Sequence, residues 1–264
     1  MSLSGKTLKA SYVDLLQLDN SNSGMPTSVR SVKDGAGTSS ALWISDDQVR
    51  IAPNNDDTTS ALMVRNTSGA TVMQVDTTNE LVYGSGNIVN TQYATFGVSA
   101  SLSSNYVINT HHPIPFFTIT ESASSQQDDI TFGTGTDPAT TFTTADGAGT
   151  RASNLVPMLW HIPDGISIDS VTSIEGADAA TGDTTRMHLF SYDFTSGATA
   201  CLTNGTLLAH NSDVTNAGSE QPYLSSWTVD SATVASGKVI LAFFRSDSVN
   251  SDYSINITVK YHLT

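Results

Sequence analysis

The sequence predicts an all-β protein with an N-terminal region of short strand-turn-strand repeats and a larger C-terminal β domain. Three observations favour this fold class. The 264-residue chain contains 71 Ser and Thr residues, whose short polar side chains compete with the helical backbone for hydrogen bonds. Apolar residues make up 38% of the chain, and they fall in strand-length runs separated by Gly, Asn and Asp. One such run recurs near the N-terminus.

The recurring motif is Ser-Ala-Leu followed by two further apolar residues. It occupies Ser40–Ile44 and returns 20 residues later as Ser60–Val64. In each copy a polar turn follows and leads into a second short strand pattern. A thin unit of this kind cannot bury its own apolar face, so it packs against neighbouring repeats or against other copies of the chain. We therefore expect an elongated, oligomeric structure.

The N-terminal elements follow from turn chemistry. Residues 1–25 contain a leucine-rich stretch that is too short to assign, and the polar linker Asp19–Gly24 follows it. This linker does not continue as a calcium loop, because its twelfth position is Arg30 where a carboxylate is needed. The expected strands are Ala41–Ser45, Gln48–Ile51, Ala61–Arg65, Thr71–Asp76 and Glu80–Tyr83. A Gly-rich hinge is expected at Gly84–Asn87.

Residues 96–264 are predicted to form a larger β domain. Apolar and polar residues alternate strictly in Tyr253–Leu263, which is typical of a strand with one buried face. Val239–Phe244 is continuously apolar, so we expect a sheet face on one side of it and a subunit contact on the other. About eight such runs separated by polar turns predict a β-sandwich, specifically a jelly-roll-like one.

Charge and cysteine content exclude several classes of protein. The net charge is −14, and a surface of this sign repels phosphate backbones, so we expect no nucleic-acid partner. Cys201 is the only cysteine, which excludes an intrachain disulfide. No signal peptide is recognisable, and no stretch approaches the roughly 20 apolar residues that span a bilayer. We expect synthesis in a reducing cytoplasm and no membrane insertion.

The residue patterns do not predict an enzyme. The six histidines lack the spacing of a zinc site, so neither a metal nor a cofactor is expected. Most acidic residues are Asp in turns, where the side chain bonds the local backbone, and no spacing pairs two carboxylates as glycosidases require. No nucleophile elbow, phosphate-binding loop or dinucleotide fingerprint occurs in the sequence.

Three aromatic residues near polar loops are the candidates for binding a receptor: Trp160, Tyr223 and Trp227. Aromatic faces stack on sugar rings and anchor protein contacts. They are equally ordinary core residues of a sandwich, and the core interpretation is favoured because large aromatic side chains are usually mostly buried.

The first 90 residues resemble the attachment and shaft region of tailed-bacteriophage fibre proteins, especially those of marine phages. The segments that carry the resemblance are Leu8–Asn20, Lys33–Leu42, Ser45–Val49, Asn55–Ala61 and Val75–Asn79. These segments cover about a third of the chain. Their order along the chain, more than any single segment, is what resembles the fibre proteins. The C-terminal part is similar, in pattern only, to the β-sandwich heads that follow such shafts.

This resemblance implies an intertwined homotrimer in which strands from three chains close one narrow apolar core. The side chains expected to line that core are Leu42, Ile44, Leu62, Val64, Val72 and Val75. The implied domains are a virion-docking segment at residues 1–25, a trimeric β-shaft at 26–95 and a head at 96–264.

The function that follows is that of a non-enzymatic virion protein, a fibre whose N-terminus binds other virion proteins and whose head contacts a host glycan or protein. Three alternatives remain open. One is a capsid decoration protein or head fibre, which uses the same fold but docks on the shell. The second is a head that depolymerises polysaccharide, and the third is a lectin-like module with bound calcium.

Overall fold

A computed structural model describes residues 16–21, 23–100, 107–116, 130–145, 152–177, 181–248 and 253–264. Within these residues the chain is mostly strand, arranged in four antiparallel sheets, with one short helix. The predicted all-β fold class is therefore confirmed. The chain divides into two compact units, Met1–Val89 and Asn90–Thr264. Most of the predicted docking segment, residues 1–15 and 22, lies outside the described residues.

The N-terminal unit contains two sheets, each a simple antiparallel meander of four strands. Sheet I comprises β1 (Gln17–Leu18), β2 (Arg30–Lys33), β3 (Ser39–Ile44) and β4 (Val49–Ile51). Sheet II comprises β5 (Leu62–Arg65), β6 (Thr71–Asp76), β7 (Leu81–Gly84) and β8 (Asn87–Ile88). Every strand pairs with its neighbour in sequence, because connections of two to eleven residues are too short for a crossover.

The C-terminal unit contains twelve strands in its described residues, and one short helix. The strands are β9 (Thr91–Ala100), β10 (His112–Ile114), β11 (Trp160–His161), β12 (Ile166–Ala177), β13 (Thr184–Phe194), β14 (Leu202–His210), β15 (Val214–Thr215), β16 (Tyr223–Ser226), β17 (Thr228–Val229), β18 (Thr233–Val234), β19 (Lys238–Ser246) and β20 (Tyr253–Leu263). The helix is α1 (Ala152–Leu155), and a 3₁₀ turn continues it at Val156–Met158.

These strands form two further sheets. Sheet III has the order β16-β12-β20-β9, with β18 also paired to β12. Sheet IV has the order β10-β19-β13-β14-β17, with β11 on β19 and β15 on β13. Residues 91–95, assigned to the shaft by the sequence analysis, belong to β9 and pair with β20 along their whole length.

One hydrophobic core is shared by sheets III and IV. The alternation in β20 buries Ile255, Ile257 and Val259 against this core and leaves Ser254 and Asn256 exposed. The same cluster contains Met187, Leu189, Ile240, Ala242 and Phe244 from sheet IV and Phe96, Ile166 and Ile168 from sheet III. The two sheets therefore pack through the apolar faces that their alternating sequences create.

A second core lies on the other face of sheet IV. There Phe190, Tyr192, Leu241 and Phe243 meet a covering layer made by Ile130, Phe132, Phe142, Leu155 and Met158. This layer explains the continuous apolar run Val239–Phe244, which is buried on both faces. The expected subunit contact is not needed there, because side chains from 130–145 and 152–158 cover this face of the sheet.

Candidate assembly interface

The first hairpin turn of sheet I is held by one aspartate. The backbone N–H of Asp34 donates to the carbonyl of Thr38 over 3.0 Å, and its Oδ1 accepts from the N–H groups of Ala36 and Thr38. These bonds stabilise the carboxylate and hold the pKa of Asp34 below its usual value. Gly37 supplies the left-handed φ of 93° that closes the turn.

A second turn, between β5 and β6, repeats this pattern with an asparagine. The N–H of Asn66 donates to the carbonyl of Ala70 over 2.9 Å, and its Oδ1 accepts from the N–H groups of Ser68 and Ala70. Gly69, at φ 84°, occupies the position of the glycine in the first turn. The two turns are equivalent because Asp and Asn both bond the backbone a few residues ahead.

The structural repeat therefore differs from the repeat seen in the sequence. Asn66 follows Asp34 by 32 residues, whereas the apolar motif recurs after 20. Ser40–Ile44 lies in β3, a strand paired on both sides, but Leu62–Val64 lies in the edge strand β5. The unit that repeats is a three-stranded meander, with β2-β3-β4 corresponding to β5-β6-β7.

Sheet I has one exposed apolar face. Leu42 lies directly opposite Ile51, and Ile44 lies opposite Val49. Directly opposed residues of an antiparallel pair project to the same face. We call this set of four side chains face I. Val49 is 71% exposed, so the described part of the chain leaves this end of the face open.

The other face of sheet I is polar. Trp43 projects from it opposite Arg50, whose guanidinium lies 4.5 Å from the centre of the indole ring. This cation–π contact uses the aromatic surface that would otherwise be open to water. Lys33 forms an ion pair of 2.7 Å with Asp19. Face I is the more apolar of the two faces, although Arg30 lies opposite Ile44 and projects to the same side.

Sheet II also has an exposed apolar face. Leu62 lies opposite Val75, Val64 lies opposite Met73, and Val75 lies opposite Val82 on its other side. We call these five side chains face II. Val64 is 45% exposed and Val82 is 40% exposed. In the 32-residue repeat Leu42 and Ile44 correspond to Gln74 and Asp76, so face II lies on the opposite side of its meander from face I.

Val72 does not belong to face II. It precedes Met73 in β6, and successive residues of a strand project to opposite faces. Val72 therefore shares the other face with Gln74, which lies opposite Tyr83. The register therefore places Val72 on the face opposite Leu62, Val64 and Val75.

The N-terminal unit has almost no core of its own. Among its described residues, 16–21 and 23–89, Val32 and Pro26 are the only buried apolar residues. A sheet with one exposed apolar face gains stability when a second layer covers that face. Faces I and II therefore form the candidate assembly interface. They hold five of the six predicted trimer-core side chains: Leu42, Ile44, Leu62, Val64 and Val75.

The predicted receptor-binding tryptophans lie in the hydrophobic core. Trp160 is 7% exposed and stacks on Phe116 at 5.5 Å, and Trp227 is 8% exposed. The indole N–H of Trp227 donates to the buried hydroxyl of Ser173 over 2.9 Å. Neither ring presents a face to a ligand in solution.

Tyr223 differs from the two tryptophans, because it is only half-buried. Its hydroxyl accepts hydrogen bonds from the backbone N–H of Ala217 and from the side-chain amide of Gln221, over 2.9 and 2.8 Å. Both bonds fix a local loop. The structure does not bring the three aromatic candidates together at one surface.

Glu175 is the most buried carboxyl group among the described residues, and sequence reasoning missed it. It is 1% exposed, between sheets III and IV, and the Thr185 hydroxyl lies 2.8 and 3.0 Å from its two oxygens. Burial raises the pKa of Glu175 to about 7, although the hydrogen bond from Thr185 opposes the shift. A carboxyl group in this position has no access to a polysaccharide, so it is not suited to glycosidase chemistry.

Two buried histidines, His111 and His188, stand 5.0 Å apart between ring centres. Burial lowers the pKa of His111 to about 4 and that of His188 to about 3, so both rings are neutral at pH 7. In the described part of the chain, no three His, Cys, Asp or Glu side chains are arranged to hold a metal ion. Nor does any described helix have the length and apolarity to cross a bilayer.

Comparison with known proteins gives no match: neither a family model nor a curated protein corresponds to this chain.

Proposed function

We propose that the chain is a non-enzymatic structural protein of a tailed-bacteriophage particle, a homotrimeric fibre. Its N-terminus would attach to other virion proteins, and its C-terminal unit would contact a glycan or protein on the host surface. The chain would be made in the host cytoplasm and end in the virion. The resemblance of the first 90 residues to phage fibres supports the choice of particle and the number of subunits.

One observation carries the proposal, namely that faces I and II are apolar while the described residues of the N-terminal unit bury almost no apolar side chains. Sister chains that cover these faces would complete a shared core along the shaft. Each aliphatic side chain buried in this way contributes about 1.5–3 kcal/mol, and a trimer places three copies in every layer. A closed symmetric assembly also leaves no complementary surface free for open-ended growth.

The strand order supports a jelly roll for the C-terminal unit. We number its eight principal strands from one to eight in chain order, as β9, β10, β12, β13, β14, β16, β19 and β20. Sheet III then has the order six, three, eight, one, and sheet IV has the order two, seven, four, five. Each sheet combines early and late strands, as in an eight-stranded double Greek key.

The net charge supports a protein that lies on the outside of a particle, in contact with water. A net charge of −14 keeps assemblies apart in solution and disfavours nucleic acid as a partner. Three heads on one shaft would also compensate for weak single contacts, because one docked head holds the other two at high local concentration.

The direct test of assembly is the mass of the purified chain in solution. Size-exclusion chromatography with light scattering should give three times the chain mass over a tenfold range of dilution. A well-folded monomer at every concentration would remove the basis for the fibre proposal.

A second test locates the mounting point on the particle. Gold-labelled antibody against residues 1–25 should decorate the tail of intact particles by electron microscopy. Label on the shell would instead assign the chain to the capsid decoration proteins or head fibres, which share the assembly but dock elsewhere.

A further inference from the structure

The C-terminal unit contains a polar cavity of about 230 Å³ at one end of sheet IV. It lies where β13, β15 and β19 meet the chain that precedes β10. The residues that line it are Asn109, Thr184, Thr185, Arg186, Asp213, Arg245 and Asp247.

Two arginines lie side by side in this cavity. Arg186 of β13 is directly opposite Arg245 of β19, so the two side chains share one face of sheet IV. Like charges directly opposite one another destabilise a sheet unless an anion compensates them. The chain has only 11 Lys and Arg residues at a net charge of −14, which makes such a pair unusual here.

Only one of the two arginines has a carboxylate partner. Arg186 Nε lies 3.5 Å from Asp213 Oδ1, an ion pair without hydrogen-bond geometry. Arg245 donates through Nη2 to the neutral side-chain oxygen of Asn109 over 3.1 Å. Among the described residues, no carboxylate oxygen lies within 4.0 Å of the Arg245 guanidinium. The other acidic residue, Asp247, accepts the backbone N–H of Thr184 over 2.7 Å.

The backbone holds Asn109 in place over Arg245. Asn109 has a left-handed φ of 58°, and its N–H donates to the carbonyl of Ser246 over 2.7 Å. Asparagine adopts this left-handed conformation more readily than other non-glycine residues, so the backbone here is held by the hydrogen bond to Ser246 without unusual strain. Because Asn109 Oδ1 accepts from Arg245, its amide N–H₂ remains available to donate to a ligand.

The cavity also contains the carboxylates of Asp213 and Asp247, and Asp137 lies 3.5 Å from His188 Nε2, but none of them forms an ion pair with Arg245. His188 lies next to Arg186 on the same face and His111 lies nearby, and both are neutral at pH 7 because burial lowers their pKa values. Arg245 lowers the pKa of both histidines further, which places them in its positive potential.

We propose that this cavity binds the carboxylate group of an acidic sugar. Arg245 would hold the carboxylate, since a guanidinium matches the geometry of two carboxylate oxygens. Asn109 would donate to a neighbouring hydroxyl or ring oxygen. The cavity is smaller than the sites that enclose drug-sized ligands, which suits a single sugar unit. The inference rests on the proposed function, in which the C-terminal unit contacts a host surface.

Isothermal titration calorimetry of the full chain in low-salt buffer at pH 7.5 tests the proposal. The probes are sodium glucuronate, glucose, inorganic sulfate and inorganic phosphate. Glucuronate should bind at one site per chain and at least tenfold more tightly than each of the other three probes. Arg245→Gln should weaken glucuronate binding at least tenfold, whereas Arg65→Gln, a matched change in the N-terminal unit, should leave it unchanged.

A second variant is expected to tighten glucuronate binding, an effect that loss of the fold could not produce. Asp213→Asn removes the carboxylate that competes for Arg186, so it should tighten glucuronate binding several-fold. Equal binding of glucose, preference for sulfate or phosphate, or unchanged binding by Arg245→Gln would each overturn the proposal. Light scattering on the same samples separates the two claims: trimers without glucuronate binding refute only the cavity, and binding by a monomer refutes only the fibre.

Discussion

At the scale of single residues, Glu175 is the position that sequence patterns misplace. Ile166 and Ile168 begin β12 facing the core, and simple alternation would next bury Ser170. The register between β12 and β20 shifts between Ile168 and Ser170, so Val171 becomes the next buried residue. Glu175 then faces inward while Ile174 is 52% exposed. A bulge of this kind depends on the partner strand and leaves little trace in the sequence.

The raised pKa of Glu175 predicts a pH-dependent stability. Its value is about 7 in the folded chain against an ordinary 4.5, so its stabilising contribution is complete below pH 4.5 and is lost as pH rises to 7. Glu175→Gln keeps a neutral group there. The variant should match the parent near pH 4 and exceed its free energy of unfolding by about 3 kcal/mol at pH 8.

Urea unfolding at both pH values, at one protein concentration, measures this difference. Glu220→Gln, on the exposed surface, is the control and should follow the parent at each pH. A constant difference between Glu175→Gln and the parent across this range would show that Glu175 is not held neutral by burial.

At the scale of elements, short-range patterns located strands well but could not define the repeat. The predicted strand Thr71–Asp76 coincides with β6, because polar turns bound it on both sides. The predicted strand Ala41–Ser45 begins two residues late, since Ser39 pairs with Lys33 beyond a bulge that apolar periodicity does not reveal. The 32-residue repeat is carried by turn hydrogen bonds at Asp34 and Asn66, which a search for apolar motifs overlooks.

A tight contact between β13, β14 and the chain preceding α1 gives a prediction at this scale. A Cβ atom at Gly205 would lie 2.6 Å from Tyr192 Cε1 and 2.7 Å from the Cα of Thr140. Gly205→Ala should therefore lower the free energy of unfolding by about 1–3 kcal/mol, because backbone atoms have to move. Gly176→Ala is the matched control, since a Cβ there meets no atom within 4 Å. Equal urea midpoints for the two variants would contradict the packing described for Gly205.

At the scale of the whole molecule, composition was enough to predict an all-β chain with two unlike parts. The sequence also predicted that Val239–Phe244 is buried on both faces of its sheet. It did not predict which residues cover the second face. That cover comes from side chains in 130–145 and 152–158 of the same chain, a contact too distant in sequence for local patterns to indicate. Likewise, the trimer-core candidates were chosen by apolarity alone, and only strand register separates Val72 from Val64.

The most direct test of the account uses these two valines as a pair. Val64 and Val72 lie in the same sheet and are 45% and 46% exposed, but they project to opposite faces. If face II closes a core between chains, Val64→Asp brings three carboxylates into an apolar interior, whereas Val72→Asp leaves that interior unchanged. Sedimentation velocity should then find trimers for the parent and for Val72→Asp, and dissociated chains for Val64→Asp. Intact trimers of Val64→Asp, or equal dissociation of both variants, would contradict the assembly through face II.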